Sequence, residues 1–237
     1  MPHLLHLDSS ADLNNSRSRQ ITATFAGAWH SRGPEYTVTY RDLHAFPLPH
    51  VADAALHWPQ RLRPAGGGGT AGADQASSQV ASDGSSGASA EAAFQAAEAL
   101  QDQLISELLT ADVLLVGAPL YNYTVPSTLK AWIDHIHVPG RTAPFDGQTQ
   151  PLAGRPAVII SSRGAAYDAG GPREGWDHAI PVLQIILGTA LGMSVEVITT
   201  SLTLAETVPS LADQLQRSRA ELAAAHEAAA EAARRLP

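Results

Sequence analysis

Two stretches of this chain carry side chains at the spacing of ligand-binding loops. Ser10, Ser16 and Ser18 place hydroxyl donors just before and inside the start of a segment whose apolar residues recur with helical period. The free N–H groups and dipole of a helix beginning there favour an anion, so a phosphate suits the site. The same serines can equally be N-caps and turn formers, and both readings stand at this point. The second stretch, Val113-Leu114-Leu115-Val116-Gly117-Ala118-Pro119-Leu120-Tyr121-Asn122-Tyr123, runs from an unbroken apolar strand into a polar aromatic turn. Such a strand is covered on both faces in a parallel sheet, and Pro119 ends its ladder by removing a donor. Ligands of open α/β sheets bind where strands like this one end.

The elements that must position these loops follow from periodicity. His3–Leu7 reads as a first strand, the segment from Ser16–Ser18 to Gly33-Pro34 as a helix, and Tyr36–Arg41 as a second strand. Glu91–Thr110 is an amphipathic helix. Ser127 is a candidate N-cap for a helix over Thr128–His135. Ala157–Ser161 is a fourth strand, followed by the loop Ser162-Arg163-Gly164-Ala165-Ala166; Pro181–Leu191 is an apolar helix, Ser194–Thr200 a fifth strand and Val208–Arg235 a long alanine-rich helix. Strands alternating with helices predict an α/β fold: a five-stranded parallel sheet, helices on both faces. In the order 2-1-3-4-5 the loops after strands one, three and four lie side by side.

The chain of 237 residues reads as one domain spanning 1–237. A Gly/Ala/Ser-rich stretch at about 59–90 cannot bury enough apolar surface to offset its ordering entropy, and is expected to be a mobile insertion. Its Gly66-Gly67-Gly68-Gly69-Thr70 follows no strand and precedes no Gly-Lys-Ser/Thr, so a phosphate loop is not expected there.

Composition excludes several classes. There is no cysteine, hence no disulfide, thiolate metal site, iron–sulfur cluster or thiol nucleophile. A formal charge of -8 with Lys130 as the only lysine argues against nucleic acid and anionic lipid as partners. No apolar run reaches the roughly 18 residues of a spanning helix, and the start lacks a signal-peptide pattern, so a cytoplasmic protein is expected. His135 and His137 fall on different faces of a helix, and no metal site is expected. The loop after the first strand lacks G-x-G-x-x-G, which makes a mononucleotide a better guess than a dinucleotide; G-x-S-x-G is absent from the chain, which weakens a Ser/His hydrolase.

Ala118-Pro119-Leu120-Tyr121-Asn122-Tyr123, preceded by Ser10 and Ser16-Arg17-Ser18 and followed by Ser162-Arg163-Gly164-Ala165, resembles the FMN-dependent NADH azoreductase family of flavodoxin-like quinone reductases. Ser127–Trp132 with Asp134, and Gly140-Arg141-Thr142, are similar to that family as well. The resemblance implies a flavodoxin-like fold and bound FMN, with Ser10, Ser16, Arg17 and Ser18 on the phosphate. Pro119, Leu120, Tyr121, Asn122 and Tyr123, with Ser162, Arg163, Gly164 and Ala165, would line the isoalloxazine. It implies hydride transfer from NADH or NADPH to flavin N5 and on to a quinone or azo compound in ping-pong fashion. No side chain need then act as a base. Backbone N–H groups of the two turns would stabilise the negative charge of the reduced ring. A homodimer is implied, with the apolar Pro181–Leu191 segment as a candidate interface. The chain departs from the family at Ala165, where glycine is usual, and at Tyr123, where phenylalanine is usual. An FMN-binding electron carrier without direct NADH oxidation is the alternative reading.

Overall fold

The computed structural model describes residues 1–58, 85–145 and 150–237. Its elements are β1 (His3–Asp8), α1 (Arg17–His30), β2 (Thr37–Asp42), α2 (Ala54–His57), α3 (Ser85–Thr110), β3 (Val113–Gly117), α4 (Ser127–Ile136), β4 (Pro156–Ser162), α5 (Ala179–Leu183), β5 (Ser194–Thr200) and α6 (Leu215–Arg235). The strands form one sheet in the order 2-1-3-4-5, every pairing parallel.

Each central strand divides its apolar side chains between the two faces because strand side chains alternate. Leu5, Leu7, Leu114, Val116 and Ile159 pack under α3, α4 and α5, against Leu104, Leu108, Trp132 and Leu187. Leu4, Val113, Leu115, Val158 and Ile160 pack under α1 and α6, against Ile21, Phe25, Trp29 and Ala229. Fully burying such a side chain stabilises by ~1.5–3 kcal/mol, so these two layers fix the sheet on which the loops stand. The alanines of α6 allow that helix to lie close to α1 and the sheet.

Four boundaries differ from the sequence reading. α3 begins at Ser85, six residues before Glu91, so the end of the Gly/Ala/Ser-rich stretch is helical; Ala88–Ala90 are exposed there and carry no apolar period that would mark a helix. Residues 59–84 of that stretch lie outside the described residues. α4 takes extended Pro126 as its N-cap and makes no side-chain cap bond, so Ser127 is its first residue rather than its cap. α5 opens earlier, at Ala179, where the Asp177 carboxylate accepts from the N–H groups of Ala179 (3.0 Å) and Ile180 (3.2 Å), and it widens into a π-helical turn at Gln184–Ala190. The Val208–Arg235 stretch divides into a tight 3₁₀ segment, Pro209–Gln214, and α6. Among the described residues no helix is long and apolar enough to cross a membrane.

Candidate functional site

The register sets Asp42 and Gly117 on either side of Asp8, at the carboxyl ends of β2, β3 and β1 respectively. The loops leave the sheet there. Asp8 is buried and accepts from Thr22 Oγ1 at 2.9 Å and from the Tyr40 hydroxyl at 3.1 Å. A Cβ on Gly117 would lie 2.4 Å from Asp8 Oδ1, so only glycine fits beside this carboxylate.

The loop after β1 is held at both ends. Ser9 donates through N–H and hydroxyl to the Gly117 carbonyl, at 3.2 and 2.6 Å. The Ser10 and Tyr121 hydroxyls lie 3.0 Å apart, and Ala11 N–H donates to the same phenol at 3.0 Å. Asp12 accepts from the N–H groups of Asn15 (2.8 Å) and Asn14 (3.0 Å), and those bonds lower its pKa. Ser16 is the N-cap of α1, accepting from Arg19 N–H at 3.3 Å, with the Ser18 hydroxyl 3.0 Å from its own. Among the described residues the N–H groups of Arg17 and Ser18, in the first turn of this helix, have no protein acceptor.

The turn after β3 is tight. Tyr121 and Thr124 exchange N–H···O=C bonds of 3.0 Å, with Asn122 at φ 48° and Tyr123 at φ 69°. Two consecutive non-glycine residues in the left-handed region cost of order 1 kcal/mol each, a strain typical of ligand-binding turns. His178 N–H donates to the Tyr123 carbonyl at 2.9 Å, and Trp176 meets the Tyr123 ring edge-on, centroids 5.6 Å apart. The loop after β4 is bound to the segment after β5 through Thr203 N–H to Arg163 O (3.1 Å) and Leu204 N–H to Gly164 O (3.3 Å).

Together these loops enclose a cleft of about 740 Å³ bordered by Ser10, Ser16, Arg17, Pro119, Leu120, Tyr121, Ser162 and Gly164. Ser18, Asn122, Tyr123, Arg163 and Ala165 stand outside this lining. Ser18 is buried behind Ser16. Arg163 turns its guanidinium away toward Ser201 Oγ (2.9 Å), Thr199 Oγ1 (3.2 Å) and Asp177 (3.4 Å). Asn122 borders a second, largely apolar cleft of about 510 Å³ with Val125, Ile133, Val182 and Ile186. Sequence reasoning missed Asp12, Asn15 and the Thr203–Thr207 wall. The signal for that wall lay in the topology, since β5 adjoins β4 and its loop rises at the same end of the sheet.

The cleft has donors at its α1 end. Arg17 is 8% exposed; its Nη1 donates to Ser218 Oγ (2.9 Å) and to the carbonyls of Ser201 and Ser218 (3.4 Å each). Among the described residues Nη2 has no hydrogen-bond acceptor, and it lies 3.9 Å from Glu206 Oε1. Burial lowers the Arg17 pKa, against the pull of Glu206 and Glu221. An orphaned guanidinium N–H, two unpaired helix N–H groups and the Ser10 and Ser16 hydroxyls fit an anion such as the phosphate of a mononucleotide. At the other end, the N–H groups of Leu120 and Arg163 are already bonded, to Ser162 O and Thr200 O, both at 2.9 Å, and Tyr121 N–H is committed within its turn. Among the described residues Asn122, Tyr123, Gly164 and Ala165 keep N–H groups without protein acceptors.

The chain matches the family described as having a flavodoxin-like fold over residues 2–232. It is 56% identical over 236 residues, all of both chains, to an FMN-dependent NADH:quinone oxidoreductase of Kineococcus radiotolerans. A protein of the same name from Streptomyces coelicolor is 38% identical, with 100% of this chain and 96% of the relative covered. Among solved structures, an FMN-dependent NADH-azoreductase of Bacillus anthracis in complex with FMN superposes with a TM-score of 0.70 at 15% identity, covering 98% of this chain and 100% of that one. A second azoreductase structure from that species gives 0.71 at 19% identity, with 98% and 99% covered. With its sheet order, its convergent loops and full-length relatives of one name, the chain belongs to the flavodoxin-like family that includes the FMN-dependent NADH:quinone oxidoreductases.

Proposed function

We propose that this protein is an FMN-dependent oxidoreductase that takes hydride from NADH or NADPH and passes it to quinones, in one round, and to azo compounds, which two successive rounds cleave to two amines. The observation that carries this reading is one cleft with anion donors at its α1 end and the aromatic turn after β3 at the other. The relatives' names join FMN, NADH and quinone, which an electron carrier without direct NADH oxidation does not fit.

Ser10, Ser16, the N–H groups of Arg17 and Ser18, and the Arg17 side chain hold the phosphate in this reading. Pro119, Leu120, Tyr121, Ser162 and Gly164 border the ring system, and Asn122, Tyr123, Arg163 and Ala165 complete the two turns at its edge. When bound, FMN supplies two-electron chemistry, accepting hydride from the nicotinamide and returning it to the acceptor. The chain binds, orients and provides charge stabilisation: the N–H groups of Asn122, Tyr123, Gly164 and Ala165 are the donors free for negative charge on the ring. Leu120, Tyr121 and Arg163 contribute by holding the turns in place. Arg163 acts through its backbone, its side chain serving the contact with β5.

We read the chain as one domain over 1–237 with an insertion at about 59–90, working in the cytoplasm as a homodimer. Support for the dimer is Ile185, 59% exposed on α5's π-helical extension, beside the apolar cleft bounded by Val182 and Ile186.

The test is an anaerobic visible spectrum of the protein with FMN before and after NADH, followed by a quinone and then an azo dye. Bleaching of the oxidised flavin band and its return with either acceptor supports the oxidoreductase. A bound flavin that NADH leaves oxidised overturns it.

A further inference from the structure

Arg19 occupies the third position of α1 with its side chain 12% exposed, and the guanidinium commits all its donors. Nη1 and Nη2 meet the two Asp42 carboxylate oxygens at 2.6 and 2.8 Å. Nη2 and Nε both reach the Ser10 carbonyl, at 2.7 and 3.3 Å, and Nη1 also donates to the Tyr40 hydroxyl at 3.3 Å. Asp8 Oδ2 is 3.7 Å away. Its backbone N–H, at the opposite end of the residue, goes to Ser16 Oγ. A single residue thus grips both ends of the loop after β1, Ser10 through its guanidinium and Ser16 through its amide, and ties the loop to the ends of β1 and β2. Arg19 does not line the cleft.

We propose that Arg19 is the positioning residue for the phosphate-receiving loop, setting the separation of Ser10 and Ser16 through its simultaneous hold on Ser10 O, Asp42 and Ser16 Oγ. The proposal rests on the FMN reading above. Its planar fork is essential, because a lysine ammonium cannot meet a carboxylate bidentately and a carbonyl at once. The rival account is charge alone: Arg19 Nη1 lies 3.7 Å from Asp8 and 2.6 Å from Asp42, carboxylates that would otherwise face an incoming dianion. Placement and charge compensation predict different double variants.

The experiment titrates the full chain, freed of flavin, with FMN and with riboflavin, following quenching of flavin fluorescence, for the wild type, R19M, R19K and R19M/D42N. Riboflavin lacks the phosphate and reports the ring end of the cleft alone. We expect R19M to raise the FMN Kd by about tenfold or more while riboflavin moves less than about twofold. R19K should fall between, and R19M/D42N should stay as weak as R19M. Equal weakening of both ligands, or no change in either, overturns the proposal in favour of a general structural role. Recovery of FMN affinity in the double variant also overturns it, since charge rather than placement would then account for the loss. A wild type that binds both ligands equally defeats the phosphate assignment itself, and with it the proposal, whatever the variants do. Circular dichroism checks that R19M folds, and R19K carries the same test if it does not.

Discussion

The Tyr121 hydroxyl stands 3.0 Å from Ser10 Oγ, and the loop after β3 is thereby fastened to the loop after β1 across 111 residues of sequence. The same oxygen accepts Ala11 N–H at 3.0 Å, so the phenol clamps the loop at the α1 end of the cleft to the turn after β3. We expect Tyr121→Phe to lose about 1 kcal/mol per bond, weakening FMN by roughly five- to thirtyfold with the fold retained. Flavin fluorescence titration checks this, and unchanged affinity would show that the clamp is dispensable.

Arg17 serves α6 as much as the cleft. Its Nη1 meets three acceptors contributed by Ser201 and Ser218, with Ser218 wholly buried. We expect Arg17→Met to lower the unfolding free energy by about 2–3 kcal/mol, because buried carbonyls lose a charged donor. Urea denaturation with an unchanged m value would confirm that contact; a loss of FMN affinity without loss of stability would contradict it.

Gly117 admits no side chain. An added Cβ would sit 2.4 Å from Asp8 Oδ1 and 3.2 Å from Thr22 Cγ2, while Asp8 is fixed by the Thr22 and Tyr40 hydroxyls. We expect Gly117→Ala to destabilise by ~1–3 kcal/mol, read as a lowered melting temperature.

Stability should depend on pH at both extremes through Asp42 and Tyr40, beneath the loop after β1. Burial opposes ionisation of Asp42, yet the Arg19 hydrogen bonds and the N–H groups of Ala45 and His44 prevail and hold its pKa at about 2, against an ordinary 3.8. A depressed acid contributes stability that is full above pH 3.8 and is lost as pH falls toward 2. Tyr40 is displaced the other way, to about 12, first by burial and then by the Asp8 and Asp42 charges. Its neutral form stabilises the fold below pH 10, and that contribution disappears as pH rises toward 12. Melting temperatures from pH 2 to 5 should fall less steeply for Asp42→Asn. Tyrosinate absorbance should lose its latest-titrating component in Tyr40→Phe.

Asn122, at φ 48°, should accept glycine with a gain of up to ~1 kcal/mol where the relief of steric strain exceeds glycine's larger unfolded-state entropy. Thermal unfolding of Asn122→Gly tests whether this turn holds strain. No gain would mean that the Asn122 side chain offsets it.

Much of the architecture was legible in the residues. The unbroken apolar runs at Leu4-Leu5, Val113–Val116 and Val158–Ile160 specify strands covered on both faces, and the helical periods between them force parallel crossovers. From these came the parallel strands; the order 2-1-3-4-5 entered as a condition, and with it the convergence of Ser10, Ser16, Tyr121 and Ser162 on one cleft. Local patterns decide such features because backbone hydrogen bonding and burial on one face act over a few residues. The start of α3 escaped, since Ala88–Ala90 are exposed and have no apolar face. Tertiary structure alone decided which groups look into the cleft. Arg163 and Arg17 both follow serines in polar loops, yet Arg163 turns to Thr199 and Ser201 while Arg17 lies at the cleft with Nη2 orphaned. Arg19 gave no signal at all, because its acceptors Ser10 and Asp42 are brought together only when β1 and β2 pair. Side-chain direction depends on partners distant in sequence, and only the assembled sheet supplies them.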